Sequence, residues 1–375
     1  MKKYSFILLL ISLILSSCRK DELIFVSDSS TVSVPVQLES YQGFYLLNEG
    51  NMGMNRATID WFNYETGVYT RDIFAERNPS IPRELGDVGN DLKIYGSKAY
   101  ATINASNFVE VFDVATGKHV QQIHLPNCRS LAFANGKAYV SSFSGKIEIN
   151  PNAELGFVAE IDTLSLQVIR KVEVGYQPEE MAIYANKLYV ANSGGYRAPQ
   201  YDTTVSVVDL TTFTVQNKIE VAPNLHRMQV DEQGDIYVSS RGNYTTISPN
   251  LYVIDSATGE VKQQLSIPVS NMIIDDNKLY YYANAYQEHT NTNTVSFGIL
   301  DTTTKQMIRP SISTDGSEKL LLVPYGIAVN PETKEIFLTD AQDYIGTGYI
   351  YCYSAEGKLK WKTTAGNIPA HIAFM

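Results

Sequence analysis

The chain has 375 residues, 44% of them hydrophobic and 19% charged, which is enough apolar content to bury a large core. Its formal net charge of −10 becomes −12 once Lys2 and Lys3 leave with a leader, which argues against a phosphate-backbone partner such as nucleic acid. Beyond the N-terminus, no segment is long and apolar enough to span a bilayer as a helix.

The first stretch, MKKYSFILLLISLILSSC, carries two lysines, an apolar run and small residues ending at Cys18, the pattern of a secretory leader over residues 1–17. LSSC resembles the lipobox of bacterial lipoproteins, which implies that Cys18 is lipidated and becomes the first residue of the mature chain. RKDEL, just after it, resembles the surface-export signal of some outer-membrane lipoproteins. The expected address is therefore the outer membrane, with the only membrane attachment a lipid anchor and the protein facing the exterior. Residues 18–40, with SDSSTVSV, read as the lipidated cysteine and a tether, and residues 41–375 as the folded domain.

From there the chain repeats itself. GFYLLNE, KAYATIN, KAYVSSF, KLYVAN, DIYVSSR, KLYYYAN and EIFLTDA share an aromatic third residue: Tyr45, Tyr100, Tyr139, Tyr189, Tyr237, Tyr280 and Phe337, spaced by 39 to 57 residues. Each copy after the first is preceded by an apolar strand and a tight turn, and each is followed by a third strand, commonly ending in Asp, then a fourth. Four short strands per repeat of about 40–50 residues predict an all-β, seven-bladed propeller. The first copy lacks its leading strand, and the C-terminal IPAHIAFM supplies a match, so the C-terminal strand is expected to close the first blade. Cys128 and Cys352 fall in different copies and are expected to be unpaired.

In such a meander the loops between second and third strands share one face with the blade-to-blade connections. That face carries all the long segments, among them NEGNMGMNRA (48–57), GGYRAPQYDTT (194–204), GNYTTISPN (242–250), AYQEHTNTNT (285–294) and QDYIGTG (342–348). The candidate ligand contacts lie there: Tyr196, Arg197, Tyr201, Arg241, Tyr244, Tyr286 and Tyr344, with Asn48 opening the first loop. Aromatic rings near arginines suit flat or extended ligands. The residues just ahead of each leading strand are expected to ring the mouth of the central channel, which adds Asn90, His226, Arg227 and His371. No Cys/His spacing suggests a metal site, no nucleophile has an evident base, and no catalytic cofactor or enzyme activity is expected.

KLYVANSGGYRAPQYDTTVSVVDLTT is similar to the repeat of YVTN/YncE-like propellers, and weaker forms of it run through most of residues 43–375. FYLLNEGNMGMNRATIDWFNYETG and the blade after it resemble the surface propeller lipoproteins of gut bacteria, including the BtuG group that binds vitamin B12. The resemblance implies a cobalamin (corrinoid) ligand, bound as cargo, and a TonB-dependent outer-membrane transporter as partner. The residues themselves are equally compatible with a glycan- or protein-binding surface module, and less so with a propeller hydrolase or lactonase.

Overall fold

The computed structural model describes residues 26–81, 85–287 and 292–375, with the side chains of 285–293 left aside. The leader, Cys18 and the side chain of Tyr286 lie outside the described residues. Seven antiparallel sheets form the blades of an all-β propeller. Blade 2 is typical: Gly89–Tyr95 innermost, then Lys98–Ile103, Phe108–Asp113 and His119–His124 outermost. Blade 1 takes Gly43–Asn48, Thr58–Asn63 and Val68–Thr70 from the start of the chain and its innermost strand, Pro369–Phe374, from the end, as expected.

Two differences from the sequence reading concern strand limits. Ser29–Thr31 adds a fifth, outermost strand to blade 1, and Glu332 accepts hydrogen bonds from the backbone of Glu39 and Ser40. The stretch expected as a free tether is thus held to the propeller from Ser27 onward, because its extended backbone completes an otherwise open sheet edge. In blade 6 the segment expected as the loop 285–294 is largely ladder: Lys278–Gln287 pairs with Thr292–Asp301 over ten residues each.

The repeat aromatics are core residues, and the hydroxyls of three of them join neighbouring blades. Tyr45 donates to the carbonyl of Val114 at 2.9 Å, Tyr189 to Ser256 at 3.3 Å and Tyr237 to Thr302 at 3.0 Å. In each case the acceptor follows the Asp that ends the third strand of the next blade. These aspartates cap the turn after them; Asp113, for example, accepts from both the amide and hydroxyl of Thr116. At the seam the arrangement inverts. Phe337 packs on Phe44, Phe374 and Trp361, with ring centroids 5.0, 5.8 and 6.0 Å away. Tyr64, at the position where other blades offer the carbonyl, sends its hydroxyl back to Glu335 at 2.8 Å and accepts from Asn330 at 2.9 Å. Cys128 and Cys352 are free and buried, and burial raises both thiols above the usual range.

The innermost strands carry a β-bulge in six of the seven blades. Glu179 and Glu180 face the single residue Ala191, His226 and Arg227 face Ser239, and Tyr325 and Gly326 face Thr339. The mouth residues therefore lie within the inner strands, where the ladder continues past the apolar run, and not ahead of them as the sequence suggested. A bulge leaves backbone groups without ladder partners, and in blades 3, 5 and 7 a small hydroxyl on the second strand meets them. Ser141 accepts from the Ser130 amide at 3.0 Å and donates to the Glu179 carbonyl of the next blade at 2.9 Å. Ser239 accepts from the Arg227 amide and Thr339 from that of Gly326.

Two substitutions test these joints by urea unfolding. Ser141→Ala strands a buried donor and acceptor and is expected to cost about 1–3 kcal/mol. Phe337→Tyr restores the residue found in the other repeats but sets a hydroxyl into an aromatic cluster, and is expected to destabilise by about 1–3 kcal/mol. Unchanged midpoints in either variant would refute the corresponding account.

Candidate functional site

The bulges turn charged side chains into the centre of the long-loop face, where they surround a cavity of about 90 Å³. Its charges are mostly committed to one another. Arg129 holds Glu179 through Nε and Nη2 at 3.2 and 3.0 Å, and donates to Asn90 at 2.7 Å. Arg227 pairs with Glu180 at 2.7 Å, whose other oxygen accepts from the Met228 amide. Glu49, which follows the second strand of blade 1, accepts from the Tyr325 hydroxyl at 2.7 Å and lies 3.3 Å from His371. His371 also lies 3.8 Å from Asp91. Burial opposes the Asp91 charge, yet Lys93, His371 and the Leu131 amide hold its carboxyl below the usual range.

A larger cavity of about 320 Å³ opens beside the first and shares His226, Arg227, Arg241 and Tyr325 with it. Its walls come from blades 5, 6 and 7: Tyr244 and Pro249, Tyr282 and Asn284, then Pro324 and Tyr344. Arg241 is the least engaged cation. Its one ion pair among the described residues, to Glu179, is 3.5 Å long, and its side chain is 36% exposed. His226 has no hydrogen bond to a described residue, and burial, followed by the charges of Arg241, Arg227 and Arg129, pushes its imidazole well below the ordinary value. It is neutral at pH 7.

Tyr244 and Tyr344 are presented by the same local device. Asn243 and Asp343 cap the turns, accepting from the amides of Thr245 and Thr246, and of Ile345 and Gly346. Each tyrosine that follows sits at positive φ, 59° and 64°, a conformation unusual for a bulky residue. They remain 67% and 42% exposed. Burial raises the Tyr344 hydroxyl, and the nearby Glu49 adds to the effect.

Not all predicted contacts converge here. Arg197 stacks on Tyr176, 3.5 Å from the ring centroid, and donates to the carbonyls of Pro151 and Gln200. Tyr196 meets Phe143 edge-on at 6.1 Å, and its carbonyl accepts from the Asn150 amide. The 193–203 excursion thus ties blade 4 to blade 3, and neither residue lines the two cavities; the expected convergence of Tyr196 and Arg197 with Arg241 does not occur. Tyr201 reaches the site only through an edge contact with Tyr244 at 6.1 Å. Asn48 is buried inside blade 1, donating to Thr58 at 3.1 Å, because the last residue of the second strand still faces its sheet. Among the described residues no group of three His, Cys, Asp or Glu is placed to hold a metal ion.

The site residues that loop reading missed are Glu49, Tyr282, Asn284 and the prolines. Tyr282 sits two residues beyond the repeat tyrosine Tyr280, on the same side of its strand, and its hydroxyl donates to the Tyr325 carbonyl.

Solved structures with related folds include a quinonprotein alcohol dehydrogenase-like protein of Bacteroides thetaiotaomicron, with 14% identity, a TM-score of 0.58 and coverage of 89% of this chain and 78% of that one. Hydrazine synthase of Kuenenia stuttgartiensis matches at 15% identity and a TM-score of 0.55, over 72% of this chain and 77% of that one. At these identities the likeness concerns the fold alone. No curated protein matches the sequence. Residues 42–374 match the family described as a domain of unknown function, DUF5074, and the chain belongs to that family.

Proposed function

We propose that the propeller is a ligand-capturing module whose long-loop face takes a polar, extended ligand into the cavity between blades 5, 6 and 7. The observation that carries this reading is the pairing of exposed, left-handed tyrosines, Tyr244 and Tyr344, with an underused guanidinium, Arg241, around one cavity. Ring faces, amide and hydroxyl groups and a cation together suit a broad ligand that offers both flat surface and hydrogen-bonding groups. Cobalamin, named by the sequence resemblance, has that chemistry: a macrocycle fringed with carboxamides and a phosphate-bearing tail. At about 320 Å³ the cavity is near the lower end of small-molecule sites, roughly 300–1,000 Å³. A corrinoid would therefore insert one part and lie across the remaining face.

Binding without catalysis fits the mouth, where Glu49, Glu179 and Glu180 are all engaged by partners and so are poor free acids or bases. On this proposal cobalamin is cargo and no catalytic cofactor is needed. The leader and Cys18 support lipid anchoring at the outer membrane, facing outward. Apolar side chains crown the same face, with Met52, Met54, Ile149 and Ile345 between 54% and 75% exposed, which supports a protein partner such as a TonB-dependent transporter.

Titration of the leader-free protein with cyanocobalamin by calorimetry, checked by co-elution on gel filtration, tests the ligand. Stoichiometric binding is expected, with Tyr244→Ala and Tyr344→Ala each about tenfold weaker at unchanged melting temperature, and Arg197→Ala without effect on affinity. No binding at micromolar protein would remove cobalamin and turn attention to glycans.

The neutral state of His226 has its own signature. Its folded pKa lies below the unfolded value, so the unfolded chain takes up a proton first, and stability falls as pH drops below about 6.5. The difference in unfolding free energy between the protein and His226→Gln should be flat above that pH. Below it, the wild type should lose at most about 1.4 kcal/mol per pH unit relative to the variant. Parallel curves from pH 7.5 to 5 would show that His226 is not held neutral.

A further inference from the structure

Within the face proposed for ligand capture, the donors are not evenly used. Glu180 is taken up by Arg227 Nη1 and the Met228 amide, Glu179 by Arg129, and Glu49 by Tyr325 and His371. Three donors remain beside one another on residues shared by both cavities. Arg227 Nε is buried and has no partner among the described residues. Among the described residues Arg241 has only its long contact to Glu179, and the His226 ring has no hydrogen bond. A buried guanidinium N–H left unpaired is costly unless something occupies it.

The local field agrees with the geometry. Counting formal charges around the mouth would suggest an acidic site, with Glu49, Asp91, Glu179 and Glu180 against three arginines. Yet the largest ionic influences on His226 are those of Arg241, Arg227, Arg129 and His371, all acting against its protonation. The acids have near partners, and the cations outweigh them among the strongest influences on His226.

We propose that the spot between His226 and Arg241 is an oxyanion subsite, in which Arg241 and His226 receive a carboxylate or phosphate group of the ligand beside the buried charge of Arg227, while Tyr244 and Tyr344 hold the body attached to it. The inference rests on the capture reading for the location of the ligand, but the subsite itself can be tested with small anions. Arg241 gives the charge-assisted contact from the partly exposed side, where a guanidinium can form two parallel bonds to an oxyanion. Arg227, held by Glu180, adds its charge from the buried side. The neutral imidazole can donate one hydrogen bond, and a bound anion would raise its affinity for a proton by offsetting the surrounding arginines.

The chain has five histidines, so their ring signals can be resolved by NMR. The purified protein is titrated with inorganic phosphate and separately with acetate, and the His226 signal is assigned with His226→Gln. A saturable shift of that signal is expected with at least one anion, with an upward move of the His226 titration midpoint at saturation. In Arg241→Gln the affinity should fall about ten- to a hundredfold, whereas Arg197→Gln, on the same face but engaged elsewhere, should match wild type. Response to phosphate alone or acetate alone supports the subsite and identifies the group it prefers. No saturable shift with either anion, or equal affinity in Arg241→Gln, overturns it. Cyanocobalamin binding measured in parallel separates the two proposals. Anion binding without cobalamin binding keeps the subsite and removes that ligand, while cobalamin binding unaffected by Arg241→Gln keeps the capture face and removes the subsite.

Discussion

The architecture depends on how the inner strands are held where they crowd toward the channel. A strand that bulges there leaves amides and carbonyls outside the regular ladder, in a region with little room for water. A hydroxyl solves the problem because it can accept and donate at once. Ser141 does both, taking the Ser130 amide of its own blade and giving its proton to the Glu179 carbonyl of the next. Thr102 reaches the Arg129 carbonyl in the same way, from blade 2 to blade 3. With Thr339 of blade 7, which donates to the Pro369 carbonyl of blade 1, these bonds turn three of the bulges into joints between neighbours.

The joint also decides what the mouth is made of. Two consecutive residues opposite one residue break the alternation of the sheet, so both members of a pair such as Glu179–Glu180 or His226–Arg227 can serve the channel side. Charges gathered this closely must be paired to be tolerated. Pairing runs between blades, with Arg129 of blade 3 on Glu179 of blade 4, and Arg227 of blade 5 on Glu180 of blade 4. Blade 4 therefore contributes acids to partners on both sides, and Arg241 of blade 5 faces the cavity with only a share of Glu179, 3.5 Å away.

Blade number, the closing strand and the free cysteines were legible because they rest on features that sequence carries directly: a repeated aromatic, a missing first strand and cysteine spacing. The bulges were less so. A polar doublet before an apolar run looks like the end of a loop, and the Ser or Thr opposite it acquires meaning only when the pairing is known. The extended hairpin of blade 6 was hidden for a related reason, since Asn, Thr and Gln read as loop while their backbones pair with one another and need no apolar alternation. Phe337 looked like a weak repeat, whereas the missing hydroxyl had moved across the seam to Tyr64.

The long excursion of blade 4 was the most conspicuous candidate in the sequence, and it illustrates why composition alone misplaces a site. Its arginine lies on Tyr176 and bonds two carbonyls, and Asp202 accepts from the amides of Tyr176, Thr203 and Thr204. Those polar groups are used up in shaping the loop. The shorter loops of blades 5 and 7 are turned by Asn243 and Asp343, and Tyr244 and Tyr344 project from them with hydroxyls that bond no described residue. A ligand gains most free energy from groups whose bonds are not already made, so the economical loops and the loosely paired Arg241, and not the elaborate excursion, mark where binding energy is available.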